Sequence, residues 1–253
     1  MNPGSAKPNT PNQPEHGRGT GPCQTGQSAN PDLRGAPGQL RISPPFSPED
    51  RTQIRDALES GRVMAYPTET SYALGGNALH PHLVDEIYRL KGRDRSKPLL
   101  LLLDGGRDLT GWVRDLPEAA RLLIRSVWPG PLTLVVHAGP ALPPHIQDDR
   151  GRVAVRWSPH PALAALFTVA HVPLIGTSAN LSGTPSLNDA GDVLRAFGTE
   201  PLIAIDGGPA PGGLPSTVLD TTVIPFAIVR EGATPVARIR ALLAPAFPAC
   251  VPA

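Results

Sequence analysis

Five consecutive leucines at 99–103, directly behind the basic stretch 91–98, are the segment that most restricts the fold of this chain. A run this short and this apolar reads as a core strand. Upstream, the apolar spacing over 81–90 predicts a helix, so a helix hands over to a buried strand here. That alternation recurs along the chain. Ser47 is a good N-cap, Pro48 suits the first helical position, and Glu49 and Asp50 favour the positive end of a helix dipole. The pattern predicts helices from Ser47 to Gly61 and over 81–90, 117–127, 161–170, 187–197 and 235–243. It predicts strands over 63–66, where Pro67 breaks the run, and over 99–103, 132–137, 153–156, 174–177, 202–205, 217–220 and 227–230. Helices and strands interleave, yet several strands follow one another by short turns. The expected class is α/β with a mixed parallel and antiparallel sheet.

Residues 1–45 are rich in Pro, Gly, Asn, Gln and Ser and carry hardly any large apolar side chain. Such a segment cannot bury enough surface to offset its ordering entropy, so it is expected to be a disordered tail. Residues 46–243 then form one domain, and 244–253 a short C-terminal tail. The 40% hydrophobic fraction suffices for a core, and the formal charge of +1 gives no global pull toward nucleic acid. Cys23 and Cys250 lie near the two ends with no partner at metal-ligand spacing, which speaks against a zinc site or a disulfide scaffold. No apolar signal core or membrane-spanning run is present, so a cytoplasmic protein is expected.

Apart from Lys7, Lys91 and Lys97 are the only lysines, in a chain otherwise rich in arginine. A solvated face would be written with Arg here. Two retained ammonium groups suggest a compact point charge at a phosphate or carboxylate site; the plainer alternative is a basic helix end meeting its last carbonyls. Further segments at strand ends carry more polar or glycine content than a core needs: 67–72, 128–133, 177–183 and 216–218, the last after the glycine-rich loop 207–213. Arg156 and Arg230 each end a strand. Open α/β sheets bind ligands at such edges, and hydroxyls, backbone amides and cations together describe a site for a polyphosphate-like anion. There is no Walker loop, no dinucleotide fingerprint and no nucleophile elbow around Ser178. His80 and His82 flank Pro81 and read as a solvated turn in preference to a metal site.

In order and spacing these segments resemble the YrdC family of L-threonylcarbamoyladenylate synthases. The shared elements are P-T-E-T-x-Y at 67–72, K-G-R with a downstream K-P at 91–98, W-P-G-P-L-T at 128–133 and V-A-V-R at 153–156. S-A-N-x-S-G at 178–183, S-T-V at 216–218 and Arg230 with Gly232 complete the set. The resemblance spans roughly 47–243. It implies a twisted mixed sheet with flanking helices around an open basic cavity, in the short single-domain form. It also implies an enzyme that joins L-threonine, bicarbonate and ATP into threonylcarbamoyl-AMP with release of pyrophosphate. Mg2+ would enter with ATP and no protein metal cage is expected. A transferase complex would then carry the threonylcarbamoyl group to the adenosine beside the tRNA anticodon, and tRNA or double-stranded RNA is a further implied contact.

By that resemblance Lys91 and Arg93 are the catalytic cations. Arg93, Lys97, Asn180 and Arg230 bind ATP, and Thr70, Arg156, Ser178 and Ser216 bind threonine. Leu102 stands where many members carry a histidine that approaches the threonine, and Ala73 where Y-G-L-G has its first glycine. Both departures bear on the amino-acid pocket and leave open a paralogue with another amine acceptor. The rival from a different class is a non-catalytic RNA- or ribosome-binding module. Scattered aromatics, only 4% of the chain, speak against it.

Overall fold

A computed structural model describes Met1 and residues 38–92, 99–105 and 109–253. Arg93, Lys97 and residues 2–37 of the expected tail lie outside the described residues. In chain order the elements are β1 (Leu40–Ile42), α1 (Pro48–Glu59), β2 (Met64–Pro67), β3 (Tyr72–Gly75), α2 (Pro81–Lys91) and β4 (Leu100–Leu102). They continue with β5 (Val113–Arg114), α3 (Glu118–Val127), β6 (Leu132–Ala138), β7 (Arg152–Arg156), α4 (Pro161–Phe167), β8 (Leu174–Ile175) and β9 (Thr177–Ser178). The last are α5 (Ala190–Ala196), β10 (Ile203–Ile205), β11 (Thr217–Asp220), β12 (Ala227–Arg230) and α6 (Val236–Leu243).

The strands form two mixed sheets where the sequence suggests one. The first has the order β1-β10-β2-β3-β9, the second β12-β11-β6-β7-β4-β8, with β5 also paired to β6. In the first sheet β1, β10 and β2 run parallel and β3 and β9 pair antiparallel. In the second, β11 is parallel to β6 and β4 to β7, and β6–β7, β4–β8 and β11–β12 are antiparallel. Strand periodicity explains why the leucine run is apolar on both faces. Leu99, Leu101 and Leu103 join the larger core cluster, whereas Leu102 joins a second one with α1 and α4 side chains such as Ile54 and Leu166. Along β2, Ala65 faces the first cluster and Met64 and Tyr66 the second.

Helix α1 begins as its sequence dictates. The Ser47 hydroxyl accepts from the Asp50 N–H at 3.1 Å, and the Asp50 carboxylate accepts from the Ser47 N–H at 2.9 Å, a reciprocal capping box. Other expectations are corrected. A strand, β1, lies inside the expected tail, because the short L-R-I segment pairs in parallel with β10. Pro67 ends β2 inside the sheet, opposite Tyr72. The helix expected from 187 starts at Ala190, since the Leu187 backbone is used by Tyr72 N–H (2.9 Å) and Ala179 O (3.2 Å). Asp189 caps α5 through Gly191 N–H at 2.7 Å. The C-terminal stretch carries a 3-10 turn, Pro248–Cys250, with Cys250 buried.

The strand expected at 174–177 is two strands in different sheets. Chain crossing occurs at Gly176, whose N–H donates to Leu100 O at 2.7 Å and where a Cβ would meet Leu102 Cγ at 2.6 Å. Gly75 is tighter still: a Cβ there would lie 1.7 Å from Ile175 O and 2.1 Å from the Tyr66 hydroxyl. We therefore expect Gly75→Ala to destabilise the protein by about 2 kcal/mol or more and Gly176→Ala by ~1–3 kcal/mol. Ser47→Ala, which loses a cap, should cost ~1 kcal/mol. Urea unfolding of the three variants measures the ranking.

Candidate active site

The ends of β2, β3, β7, β9, β11 and β12 surround a cavity of about 960 Å³. Its wall mixes apolar and glycine residues with Ser and Thr hydroxyls, and among the described lining residues the only charged side chains are Arg156 and Arg230. Of the residues singled out from sequence, Thr70, Arg156, Ser178, Ser216 and Arg230 all line this one cavity.

Thr70 is set by the β2–β3 turn. The Thr68 hydroxyl donates to Ser71 O at 2.7 Å and accepts from the Thr70 and Ser71 N–H groups at 3.2 and 3.3 Å. It lies 3.0 Å from the Thr70 hydroxyl. Ser216, opening β11, is 2.8 Å from the Thr133 hydroxyl of β6, and Arg230 of β12 donates through Nη2 to Ser216 O at 2.8 Å. The glycine loop is pinned through Tyr72, whose hydroxyl donates to Gly208 O at 2.9 Å. Asp206 accepts from Gly208 N–H at 2.9 Å and pairs with Arg41 of β1 at 2.6 Å.

Arg156 is only 4% exposed. Its Nε lies 3.6 Å from Glu69 Oε1, and neither that Nε nor either Glu69 oxygen has a hydrogen-bond partner among the described residues. Burial pulls the guanidinium below its ordinary pKa; Glu69 opposes that pull and Arg230 adds to it.

Lys91 and Asn180 stand behind the wall and are not among its lining residues. Lys91, a residue only 2% exposed, donates through its ammonium to Ser178 O, to Asn180 O at 2.7 Å and to Asn180 Oδ1 at 3.0 Å. Ser178 Oγ donates to the same Asn180 Oδ1 at 2.6 Å, and Asn180 Nδ2 donates to Thr184 O at 2.5 Å. The lysine that closes α2 thus gathers the carbonyls of the 178–180 loop and holds Ser178 at the cavity. Leu102 is fully buried against Gly176 and does not line the cavity, whereas Ala73 does. Sequence reasoning missed Ser186 and Asn188, which line the cavity from the 185–188 loop. It gave no role to Glu69, although that residue lies inside the quoted 67–72 motif. Among the described residues no cluster of three metal-ligating side chains occurs, and no helix is long and apolar enough to cross a membrane.

The two mixed sheets, with a cavity at their strand ends that carries hydroxyls and two arginines, define an α/β protein with a cationic pocket. Residues 56–232 match the family Sua5_yciO_yrdC, described as "Telomere recombination", and the chain belongs to that family. It is 36% identical over 186 residues to a threonylcarbamoyl-AMP synthase of Pyrococcus abyssi, covering 74% of this chain and 55% of the relative. A threonylcarbamoyl-AMP synthase of Bacillus subtilis is 35% identical over 194 residues, with coverage of 76% and 56%. The solved structure of P. abyssi Sua5 complexed with L-threonine superposes with a TM-score of 0.72 at 32% identity, over 81% of this chain and 60% of that one. The chain thus spans about half the length of these two curated relatives.

Burial raises the Tyr72 hydroxyl from its ordinary 10.0 to about 12, with the Asp206 and Asp189 charges adding and the Gly207 N–H and Arg41 opposing. A proton held more tightly in the folded state contributes stability fully below pH 10, and that contribution is lost between about pH 10 and 12. Stability of the wild type relative to Tyr72→Phe should therefore be constant to about pH 10 and shrink above it. Denaturation curves collected across that range check the sign.

Proposed function

We propose that this protein is a threonylcarbamoyl-AMP synthase, forming L-threonylcarbamoyladenylate and pyrophosphate from L-threonine, bicarbonate and ATP. The observation that carries this reading is the convergence of Thr70, Arg156, Ser178, Ser216 and Arg230 on one cavity, in a chain that belongs to the family whose curated members bear that name. Threonine's own amine attacks bicarbonate to give a carbamate with loss of water. A carbamate oxygen then attacks the α-phosphate, and the bond to the β-phosphate breaks as pyrophosphate leaves. Neither step needs a nucleophilic side chain. The work of the site is positioning and placing cations where negative charge develops.

In this reading the buried Arg156 takes the threonine carboxylate in a bidentate contact. Thr70, Ser178 and Ser216 offer hydroxyls around the amino acid, and Arg230 takes the nucleotide. Lys91 and Asn180 shape the loop that presents Ser178, and Arg93 and Lys97 are assigned to phosphate oxygens by the family resemblance. The described lining offers no carboxylate, so Mg2+ would be carried by the triphosphate oxygens and water, where it neutralises phosphate charge. The product would pass to a transferase that modifies the adenosine beside the tRNA anticodon, in the cytoplasm.

Purified protein with MgATP, bicarbonate and labelled threonine should form threonylcarbamoyl-AMP and pyrophosphate only when all three substrates are present. ATP binding without product would point to another acceptor amine; salt-sensitive RNA binding with no ATP affinity would replace the synthase by an RNA-binding module. A charge-assisted hydrogen bond is worth about 1.5–3 kcal/mol. Arg230→Ala should therefore weaken ATP binding, and Arg156→Ala raise the threonine KM, each on the order of ten- to a hundredfold. Lys91→Ala, which leaves three oxygens of the 178–180 loop without their donor, should lower product formation and thermal stability together, and a parallel melting curve measures the second.

A further inference from the structure

We infer that Glu69 is a positioning residue for Arg156, fixing the guanidinium so that its outer edge meets an α-carboxylate. The inference rests on the synthase reading above and deepens it. Three atoms carry it: both carboxylate oxygens of Glu69 and Nε of Arg156 are buried without a hydrogen-bond partner among the described residues. A buried charge left unsatisfied is costly, and a buried carboxylate is stable only beside a compensating cation. Glu69 Oε1 and Arg156 Nε face each other at 3.6 Å, with the side chains only 13% and 5% exposed.

The placement is asymmetric. Arg156 lines the cavity and Glu69 does not, so the carboxylate stands behind the guanidinium on its Nε side. The terminal nitrogens are left for a ligand, the pair that forms a fork with a carboxylate. Glu69 is itself fixed from two sides. Its N–H donates to the Ser158 hydroxyl at 3.4 Å, two residues beyond Arg156, and it belongs to the turn that the Thr68 hydroxyl closes. That turn also sets Thr70, so one loop would orient both the carboxylate-binding arginine and a hydroxyl beside it. Glu69 further opposes the downward pull that burial exerts on the Arg156 pKa. A guanidinium desolvated this far with no counter-charge would be poorly placed to wait for an anionic ligand.

Glu69→Gln keeps the shape and removes the charge. In the threonine-, bicarbonate- and ATP-dependent assay we expect its threonine KM to rise by roughly tenfold, as for loss of one good hydrogen bond. Its ATP Kd, by calorimetry, should stay within about twofold, a margin under 0.5 kcal/mol. In an Arg156→Ala background the same change should add nothing to the threonine KM, because Glu69 acts through Arg156. A purely structural role would instead lower melting temperature, ATP affinity and threonine affinity together, and that outcome overturns the inference. So does an unchanged threonine KM in a folded variant. If Glu69→Gln does not fold, Glu69→Asp retains the charge but withdraws it by one methylene, and it should still raise the threonine KM; an unaltered value there is equally fatal. Wild-type protein that neither binds threonine nor forms product would bring down the synthase reading itself, and this inference with it. Wild-type activity with an indifferent Glu69 removes the inference alone.

Discussion

The cavity depends on how closely two backbones approach where the chain leaves one sheet for the other. At Gly75 and Gly176 there is no room for a Cβ, because Ile175 O, the Tyr66 hydroxyl and Leu102 already fill the space. Tyr66 bridges the crossing, donating to Ile175 O and accepting from Gly76 N–H at 3.1 Å. With the crossing drawn tight, β8 completes one edge of the second sheet, and Ser178 arrives two residues later beside β3 of the first. A looser crossing would carry Ser178 and the loop behind it away from Arg156, Ser216 and Arg230.

Elements whose boundaries are set by local chemistry were legible in the sequence. The Ser47 cap and the apolar spacing of 117–127 fix α1 and α3, and the V-L-D and I-V-R runs give β11 and β12 without error. What sequence left hidden is pairing across long separations. Leu40–Ile42 sits in a stretch rich in proline and polar residues, and its partner is β10, more than 160 positions away. The apolar residues at 174–177 read as one strand because nothing local says that each half joins a different sheet. Tyr72–Gly75 is absent from the expected strands, although all four residues are buried in β3.

The site was legible in a similar measure. Five residues singled out by the motifs line one cavity. The scarcity of lysine marked Lys91 as unusual, and the structure supplies a physical reason: a compact, three-donor ammonium suits three carbonyl oxygens set close together, where a planar guanidinium fits poorly. The histidine missing at 102 also takes on a different meaning. Leu102 fills the crossing beneath Gly176, so a polar ring there would have to enter apolar packing between α1, α4 and the sheets. Ser186 and Asn188 gave no signal, since a loop of Pro, Ser and Leu has no pattern that says what it will lie beside.

The Ser and Thr hydroxyls of the cavity wall have a property that fixed amides and carboxylates lack. Each Ser or Thr proton can turn about its C–O bond, so the same oxygen serves as donor to an anion and acceptor from an amine or alcohol. Arg156 and Arg230 are the only charged side chains in the described lining, so hydroxyls not committed to the protein are where its polarity can adjust. Such a container can adjust to a change of charge in a bound molecule without moving its backbone.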